Sequence, residues 1–279
     1  MKFRKVYVNS SHRTSGTSTK FHYQLPLDCE CPGTCHVAVT SVCLPNSMYS
    51  VQQGVNDKLY IYQKDATTES SSVNSIITIS AGNYSATTLN TAIQQGLTAA
   101  ALGSASYACN YNSVTQKMTV SQASGGGFFV YGDHTLKTLG RKDPNSGGFY
   151  GTLPIITNPQ SLQQTLNLPP TVDPNVVFTS GVIIMARVLE AYLRSPNLTN
   201  FGTLDSMGRQ DVIKRVPITS DFGTVIVSGS NIETSDLMDV SGRTLRALDF
   251  MLTDSHGNTL DLHGHDWSFC LNFVFGDLE

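Results

Sequence analysis

The feature that most constrains the fold is a strict two-residue alternation close to the end of the 279-residue chain. Every second residue there is a large apolar one: Trp267, Phe269, Leu271, Phe273 and Phe275. The positions between them begin with Ser268, Cys270 and Asn272. Because successive side chains of a β-strand point to opposite faces, this pattern predicts a strand with one face in a core.

Shorter stretches of the same character run along most of the chain. Leu248, Phe250 and Leu252 alternate in the same way, and a turn at residues 254–258 separates them from Leu260 and Leu262, which predicts strand, turn and strand. Further strands are predicted at Val6–Val8, Phe21–Leu25, Val37–Leu44, Leu59–Gln63, Ile76–Ser80, Ile183–Leu193 and Thr224–Ser228. Many short strands separated by turn residues indicate a β-sandwich or barrel.

One segment has helical spacing instead. Leu89, Ile93 and Leu97 recur on one helical face, and Ser85 and Gly103 have the residue types that begin and end helices. We therefore predict a single amphipathic helix here.

A predicted hairpin at residues 107–120 follows this helix, and we interpret the two together as an inserted α+β unit. Residues 125–151 are rich in glycine and predict loops, and the prolines at 169, 170 and 174 mark the return to the sandwich. The predicted division is therefore residues 1–74 and 176–279 for the sandwich and 75–175 for the insertion.

The charge of the chain argues against a dedicated nucleic-acid-binding protein. A formal charge of −3 and an isoelectric point near 6.1 are not typical of a dedicated nucleic-acid-binding protein. Lys2, Arg4 and Lys5 form the one locally basic segment, with two interpretations: contact with nucleic acid or acidic neighbours, or a solvated terminus.

No signal peptide or membrane span is predicted. The start of the chain has no apolar run of signal-peptide length, and the apolar run at 181–186 is too short to cross a bilayer. We therefore expect the six cysteines to be reduced thiols.

Two groups of residues have the chemistry of a metal site. His263 and His265, one residue apart, can point the same way from a strand and share a metal. The glutamate of a cupin-type site does not follow them, because Trp267 and its strand come next. We expect both histidines to be turn or interface residues.

The second group comprises Cys29, Cys31 and Cys35, followed by His36. Zinc ligation, a disulfide and free thiols are the three options, and the spacing departs from the usual C-x-x-C pair. We expect free thiols, and we predict no metal and no other cofactor.

No catalytic residue is predicted either. The chain has no Gly-x-Ser-x-Gly motif, and the glycines at 125–127 lack the Lys-Ser/Thr ending of a phosphate-binding loop.

Three parts of the sequence resemble a known family of viral proteins. They are VYVNSSHRTSGTSTKFHYQLP at 6–26, ITISAGNYSATTLNTAIQQGL at 77–97 with YNSVTQKMTV at 111–120, and RTLRALDFMLTDSHGNTLDLHGHDWSFCLNFVF at 243–275. The chain resembles the penton (vertex) capsid proteins of small double-stranded DNA viruses that have double jelly-roll major capsid proteins. These viruses and elements include virophages, polinton-like and adintovirus-like elements, and adomaviruses.

The resemblance implies a non-enzymatic structural protein with a single jelly roll. It would form a homopentamer at the fivefold vertices of the virion, contact the surrounding major capsid protein, and bind a minor capsid or fibre protein where one docks. The prediction for the fold is thus mainly β: an antiparallel jelly-roll β-sandwich with a small α+β insertion containing one amphipathic helix.

Two other functions stay open at this point. Tyr131, Phe149 and Tyr150, on glycine-rich loops, suit a receptor- or glycan-binding β-sandwich. His263 and His265 suit a cupin-like metalloenzyme.

Overall fold

The computed structural model describes residues 2–64, 72–103, 105–124, 127–130, 162, 166, 177–186, 188–198, 203–205, 208–229 and 236–276. Within this part of the chain, the strands of the first half are β1 Lys2–Asn9, β2 Ser15–Gly16, β3 Lys20–Glu30, β4 Cys35–Pro45, β5 Lys58–Lys64, β6 Ser72–Thr78, β7 Ser106–Asn112, β8 Lys117–Ser124 and β9 Phe128–Val130. The later strands are β10 Val177–Thr179, β11 Glu190–Arg194, β12 Val212–Pro217, β13 Val225–Gly229, β14 Met238–Asp239, β15 Thr244–Thr253 and β16 Ser268–Phe275. Helix α1 spans Ala86–Ala99, and short 3₁₀ turns lie at Ser10–His12 and Pro196–Leu198.

Packing divides the chain into two units. The sandwich unit comprises Met1–Met48 and Val188–Glu279, and the insert unit comprises Tyr49–Arg187. The predicted boundary after residue 74 falls inside β6, which pairs with β5 in the insert unit. β5 also pairs with β9 there, so its partners belong to the insertion.

The sandwich unit contains two antiparallel sheets. Their orders are β1-β16-β4-β13, with β14 also beside β4, and β12-β11-β15-β3-β2. Without the short β2 and β14, eight strands remain. In chain order, the first, third, sixth and eighth lie in one sheet and the others in the second, which is the connectivity of a jelly roll. The predicted jelly-roll β-sandwich is confirmed.

Aromatic rings join the two sheets of the sandwich. Phe21 of β3 and Phe250 of β15 have ring centroids 5.6 Å apart. Phe250 meets Phe269 of β16, in the other sheet, nearly edge-on at 4.8 Å. Trp267 stacks on Phe269 at 5.0 Å, and all four side chains are buried. Such pairs add stability beyond the apolar area that they bury.

A buried arginine fixes one end of the second sheet. Arg194, at the end of β11, is 1% exposed and donates to Asp205 at 2.6 Å, to Asp211 at 2.5 Å and, through Nε, to Thr253 Oγ1 at 2.9 Å. Burying an unpaired charge costs far more free energy than burying a neutral group, so a buried guanidinium needs these carboxylate and hydroxyl partners. The cluster therefore connects β11 and β15 to the segment that precedes β12.

The insert unit has its own core around helix α1. The helix buries Leu89, Ile93 and Leu97, as the spacing predicted. Ser85 caps it, because its side chain accepts from Thr88 N while Thr88 Oγ1 accepts from Ser85 N, an arrangement that satisfies free N–H groups of the first turn. The predicted hairpin after the helix is β7 and β8, with β10 paired to the other side of β8.

A fully buried glutamine holds the insert unit together. Gln63 on β5 accepts from Tyr107 OH at 2.7 Å and from Leu102 N at 3.1 Å, and it donates to Ala100 O at 2.8 Å. Its bonds connect β5 to β7 and to the end of α1. Burial raises the pKa of Tyr107 to about 12, so this hydroxyl stays a donor at ordinary pH.

We expect Gln63→Leu to lower the free energy of unfolding by about 2–3 kcal/mol, because it leaves Tyr107 OH and Leu102 N without their partner in a buried site. The matched control is Gln95→Leu on the exposed face of α1, which should change stability little. Differential scanning calorimetry of both variants measures the effect. Equal stability of the two variants would contradict it.

Two predicted strands are shorter or absent. The strand expected at Ile183–Leu193 begins only at Glu190, and the described residues from 181 to 186 have no regular structure. After the turn at Asp254, the expected second strand is a single bridge between Thr253 and Thr259. Leu260 and Leu262 are nevertheless buried, so their apolar character reflects packing in the core rather than pairing in a β-sheet.

In the described part of the chain, no helix has the length and apolar character to cross a membrane.

Candidate functional site

The three clustered cysteines lie on the core side of the sandwich. Cys29, Cys31 and Cys35 are each at most 1% exposed and belong to its apolar core. His36 follows Cys35 on β4 and therefore points to the opposite face of the sheet. The structure thus brings the thiols together and separates them from the imidazole that was considered as a fourth ligand.

All six cysteines lie among the described residues and are free thiols in this structure. Burial is the main cause that raises the pKa of Cys29 and of Cys31 to about 11, and the pKa of Cys35 is also raised by burial. Burial likewise raises the pKa of Cys109 to about 11. Cys43 alone of the six is exposed.

We expect native protein to react with a thiol reagent at pH 8 rapidly at Cys43 only. At a pKa near 11, roughly one thiol in a thousand is ionised at that pH, and the thiolate is the reactive form. Denaturation should then expose all six thiols. Titration with and without denaturant tests this, and fewer than six thiols in the denatured chain would indicate a disulfide or a tightly bound metal.

The two histidines considered as metal ligands lie in an exposed turn. His263 has a left-handed φ of 52° and Gly264 a φ of 81°, which allow the tight reversal. Asp261 holds the turn by accepting from His263 N at 2.8 Å, and His265 is exposed. Among the described residues, no three His, Cys, Asp or Glu side chains are grouped as metal ligands would be.

Residues Lys2, Arg4 and Lys5 are not a free arm. They belong to β1, whose residues pair with β16 from Lys2↔Phe275 to Asn9↔Ser268. The basic segment is the edge strand of its sheet, where lysine discourages pairing with another strand. Removal of these residues would therefore remove half of a strand.

The first and the last of the segments that resemble the penton family meet around one serine. Ser10 Oγ donates to Asp266 Oδ1 at 2.7 Å and accepts from Trp267 N at 3.0 Å. Arg13 also donates to Asp266, at 3.0 Å, and Trp267 Nε1 donates to Ser18 O at 2.7 Å. This network joins the beginning and the end of the sandwich unit, which is a structural role.

A serine, a histidine and an aspartate lie in register across β2, β3 and β15, which the sequence did not indicate. Ser15 is opposite His22, which is opposite Asp249, and His22 Nδ1 lies 2.8 Å from Asp249 Oδ1. The His22 and Asp249 side chains are 41% and 51% exposed. A catalytic triad works in a site that excludes water, so this open row does not indicate catalysis.

The aromatic residues considered for glycan binding, Tyr131, Phe149 and Tyr150, lie outside the described residues, as do Gly125 and Gly126.

The largest feature that the sequence did not indicate is the outer face of the β1-β16-β4-β13 sheet. Odd-numbered residues of β1 point outward, because Val6 and Val8 pack in the core. The exposed side chains on this face are mostly apolar: Phe3 (61%), Tyr7 (72%), Cys43, Val225 (60%) and Val227 (70%). We call this set the outer apolar face.

The middle of this face is largely buried. Cys270 and Val274 of β16 lie opposite Tyr7 and Phe3 of β1, and Ala38 of β4 lies opposite Asn272. These β16 and β4 side chains are at most 5% exposed, so β16 is buried on both sides. The alternation predicted one face of this strand in a core, and the structure shows that most of the other face is buried as well.

The other sheet presents a different outer surface. Its outward side chains include Lys20, His22, Asp249, Glu190 and Arg215, and ion pairs link several of them. That face is typical of one in contact with water, whereas the outer apolar face is typical of a surface that meets a partner.

Comparison with known proteins finds likeness at the level of structure. The mavirus penton protein, in the crystal structure of its selenomethionine-labelled form, matches with a TM-score of 0.52 and 9% sequence identity. The match covers 98% of this chain and 99% of that chain. No family model and no curated protein matches the sequence. The likeness extends over both units and shows the fold that the family resemblance implied.

Proposed function

We propose that this chain is a structural capsid protein that forms the pentameric penton at the fivefold vertices of a virion. One observation carries the proposal: the fold of the whole chain, jelly roll and insertion together, matches that of a penton protein over nearly the full length of both. A jelly roll alone hosts many functions, but this match covers 98% of the chain and therefore includes the insert unit as well as the sandwich unit.

The mechanism in this proposal is geometric. Each subunit contacts the next through two different surfaces, and a fixed rotation between them closes a ring. A sandwich of two sheets offers rigid sides for such contacts, and buried apolar and aromatic anchors supply most of the binding free energy. The surrounding major capsid protein would contact the ring from outside, and a minor capsid or fibre protein would bind where one docks.

The described residues support a binding role better than a catalytic one. His263 and His265 lie on an open turn, and His36 is separated from the three buried thiols. The outer apolar face, by contrast, offers exposed aromatic and β-branched side chains on one sheet.

Electron microscopy tests the proposal in two steps. Class averages of the purified chain in negative stain should contain rings with fivefold symmetry. Particles assembled from the major capsid protein with and without this chain should then differ in density at the fivefold vertices. Monomers in the first step, with identical vertices in the second, would contradict the proposal.

A further inference from the structure

We propose that the outer apolar face binds a second copy of this chain, and that the surface it binds is the bulge of strand β3 around Leu27. This inference rests on the proposed function, because it names the two surfaces by which neighbouring subunits of the ring would meet. It goes beyond that function by assigning them to particular residues.

The outer apolar face has the properties of a binding surface rather than of a solvated sheet. Phe3 and Tyr7 stand on its edge strand β1, and Val225 and Val227 stand on its other edge strand β13. Between them, β16 and β4 hold the buried apolar Cys270, Val274 and Ala38 together with polar residues such as Asn272 and His36, so the exposed apolar area lies along both edges of a largely buried centre. Monomeric proteins rarely leave such an area in water.

A buried polar atom on the same face lacks a partner. Asn272 is 5% exposed, and its Oδ1 has no hydrogen bond within the described chain. Its side chain lies in the row between Lys5 and Ala38. A donor supplied from outside the subunit would satisfy this oxygen, whereas native structures seldom leave a buried acceptor unpaired.

The complementary surface is a strand bulge that presents one leucine to solvent. Pairing between β3 and β15 shifts register between Ala247↔Gln24 and Leu245↔Cys29, so β3 has extra residues there. Bulges re-aim side chains, and Leu27 in this one is 78% exposed. It is more exposed than any apolar side chain of the outer apolar face.

The outer apolar face carries an exposed lysine, and the bulge carries an exposed carboxylate paired with an arginine. Lys5 lies on the outer apolar face between Phe3 and Tyr7, and Asp28 follows Leu27 on the bulge. The Asp28 side chain is 47% exposed and contacts Arg246 at 3.0 Å. Its carboxylate is exposed enough to accept a second cation from another subunit. A leucine with a neighbouring carboxylate therefore fits an apolar sheet with a lysine in it.

The difference between the two surfaces explains why copies would join head to tail, as the subunits of a ring do, instead of pairing as a two-fold dimer. An isologous dimer uses the same patch twice, whereas contact between two different surfaces, the outer apolar face and the Leu27 bulge, is heterologous. Each subunit would then offer its face to one neighbour and its Leu27 bulge to the other.

The test combines three variants with a chemical probe of the unmodified chain. The double variant Val225→Asp, Val227→Asp places negative charge on the outer apolar face. The variant Leu27→Asp places negative charge on the bulge of β3. Val114→Asp is the matched control, because Val114 is 91% exposed in a turn of the insert unit. Light scattering gives the mass of each, and the fluorescence of Trp267 checks that the sandwich is folded.

We expect the face variant and the Leu27 variant each to have the mass of a monomer with native fluorescence, while Val114→Asp assembles like the unmodified chain. Alkylation of Cys43, which lies opposite Val227 on the face, should be at least about tenfold slower in the assembled chain than in the Leu27→Asp monomer. Cys43 is remote from Leu27 in the sheet order, so the substitution itself does not shield it.

Each contrary outcome has a distinct meaning. Pentamers that survive both substitutions, or that leave Cys43 fully reactive, would overturn this inference and leave the proposed function standing. Protection of Cys43 only in particles that contain the major capsid protein would assign the face to that protein and also overturn the inference. An unmodified chain that never assembles, alone or in particles, would overturn the proposed function and the inference together.

Discussion

Replacement of Arg194 by methionine should lower the free energy of unfolding of the sandwich unit by about 3–5 kcal/mol, the usual cost of removing one partner from a buried ion pair. The guanidinium is 1% exposed and compensates Asp205, whose side chain is 5% exposed, as well as Asp211. Methionine fills similar space but removes the buried cation from both carboxylates, and Asp205 keeps the partly exposed Arg209 at 3.4 Å. Denaturant unfolding followed by the fluorescence of Trp267, the single tryptophan, measures the sandwich unit directly.

The control for this prediction is an exposed arginine on the neighbouring strand. Arg215 on β12 pairs with Glu190 at 3.3 Å, but its side chain is 62% exposed. Arg215→Met should therefore cost at most about 1 kcal/mol, as is usual for a surface ion pair. Equal stabilities of the two variants would show that the Arg194 cluster is not the buried network that its contacts indicate.

Replacement of Trp267 by alanine should destabilise the sandwich unit by about 3–5 kcal/mol, because it leaves a cavity between the two sheets. The indole stacks on Phe269, contacts Phe21 edge-on at 6.1 Å, and donates to Ser18 O. Far-UV circular dichroism during urea unfolding measures the loss, since this variant has no tryptophan to follow.

Two further variants serve as comparisons. One keeps an aromatic ring at 267 without the hydrogen bond, and the other removes an exposed ring elsewhere. Trp267→Phe keeps an aromatic ring and should lose clearly less stability than Trp267→Ala. Tyr7→Ala removes an aromatic ring that is 72% exposed within the subunit, and in the monomeric Leu27→Asp background it should leave stability almost unchanged. A tryptophan variant as stable as the Tyr7 variant would contradict the core that we describe.

The elements predicted best are those whose signals are local. Helix α1 follows from a capping serine and a stripe of three aliphatic residues, all within one short segment. Strands β15 and β16 follow from alternation, because their core faces repeat every second residue and each run is uninterrupted. Turn residues between strands indicate a sandwich, but only the family resemblance named the jelly roll.

Alternation could not tell a face that meets water from a face that meets a partner. On β16 the alternation placed one face in a core and left the surroundings of the other face open, and the structure buries Cys270 and Asn272 on that other face. On β1 the outward residues Phe3 and Tyr7 are as apolar as the inward ones. A strand with apolar residues on both faces is the signal that could have indicated a second contact surface.

The polar clusters depend on residues far apart in the chain, which no local pattern reveals. The carboxylates that pair with Arg194 lie in the segment that connects β11 to β12, and its hydroxyl partner Thr253 lies on β15. By contrast, the separation of Cys35 from His36 could have been predicted, because adjacent residues of a strand point to opposite faces.

The measurement that tests the central proposal most directly is the mass of the purified chain in solution by light scattering. A ring of five subunits of 30.2 kDa predicts a mass of about 151 kDa. This mass should not rise further as the protein concentration is increased. A mass of 30.2 kDa at every concentration, in the absence and in the presence of the major capsid protein, would contradict a pentameric vertex protein.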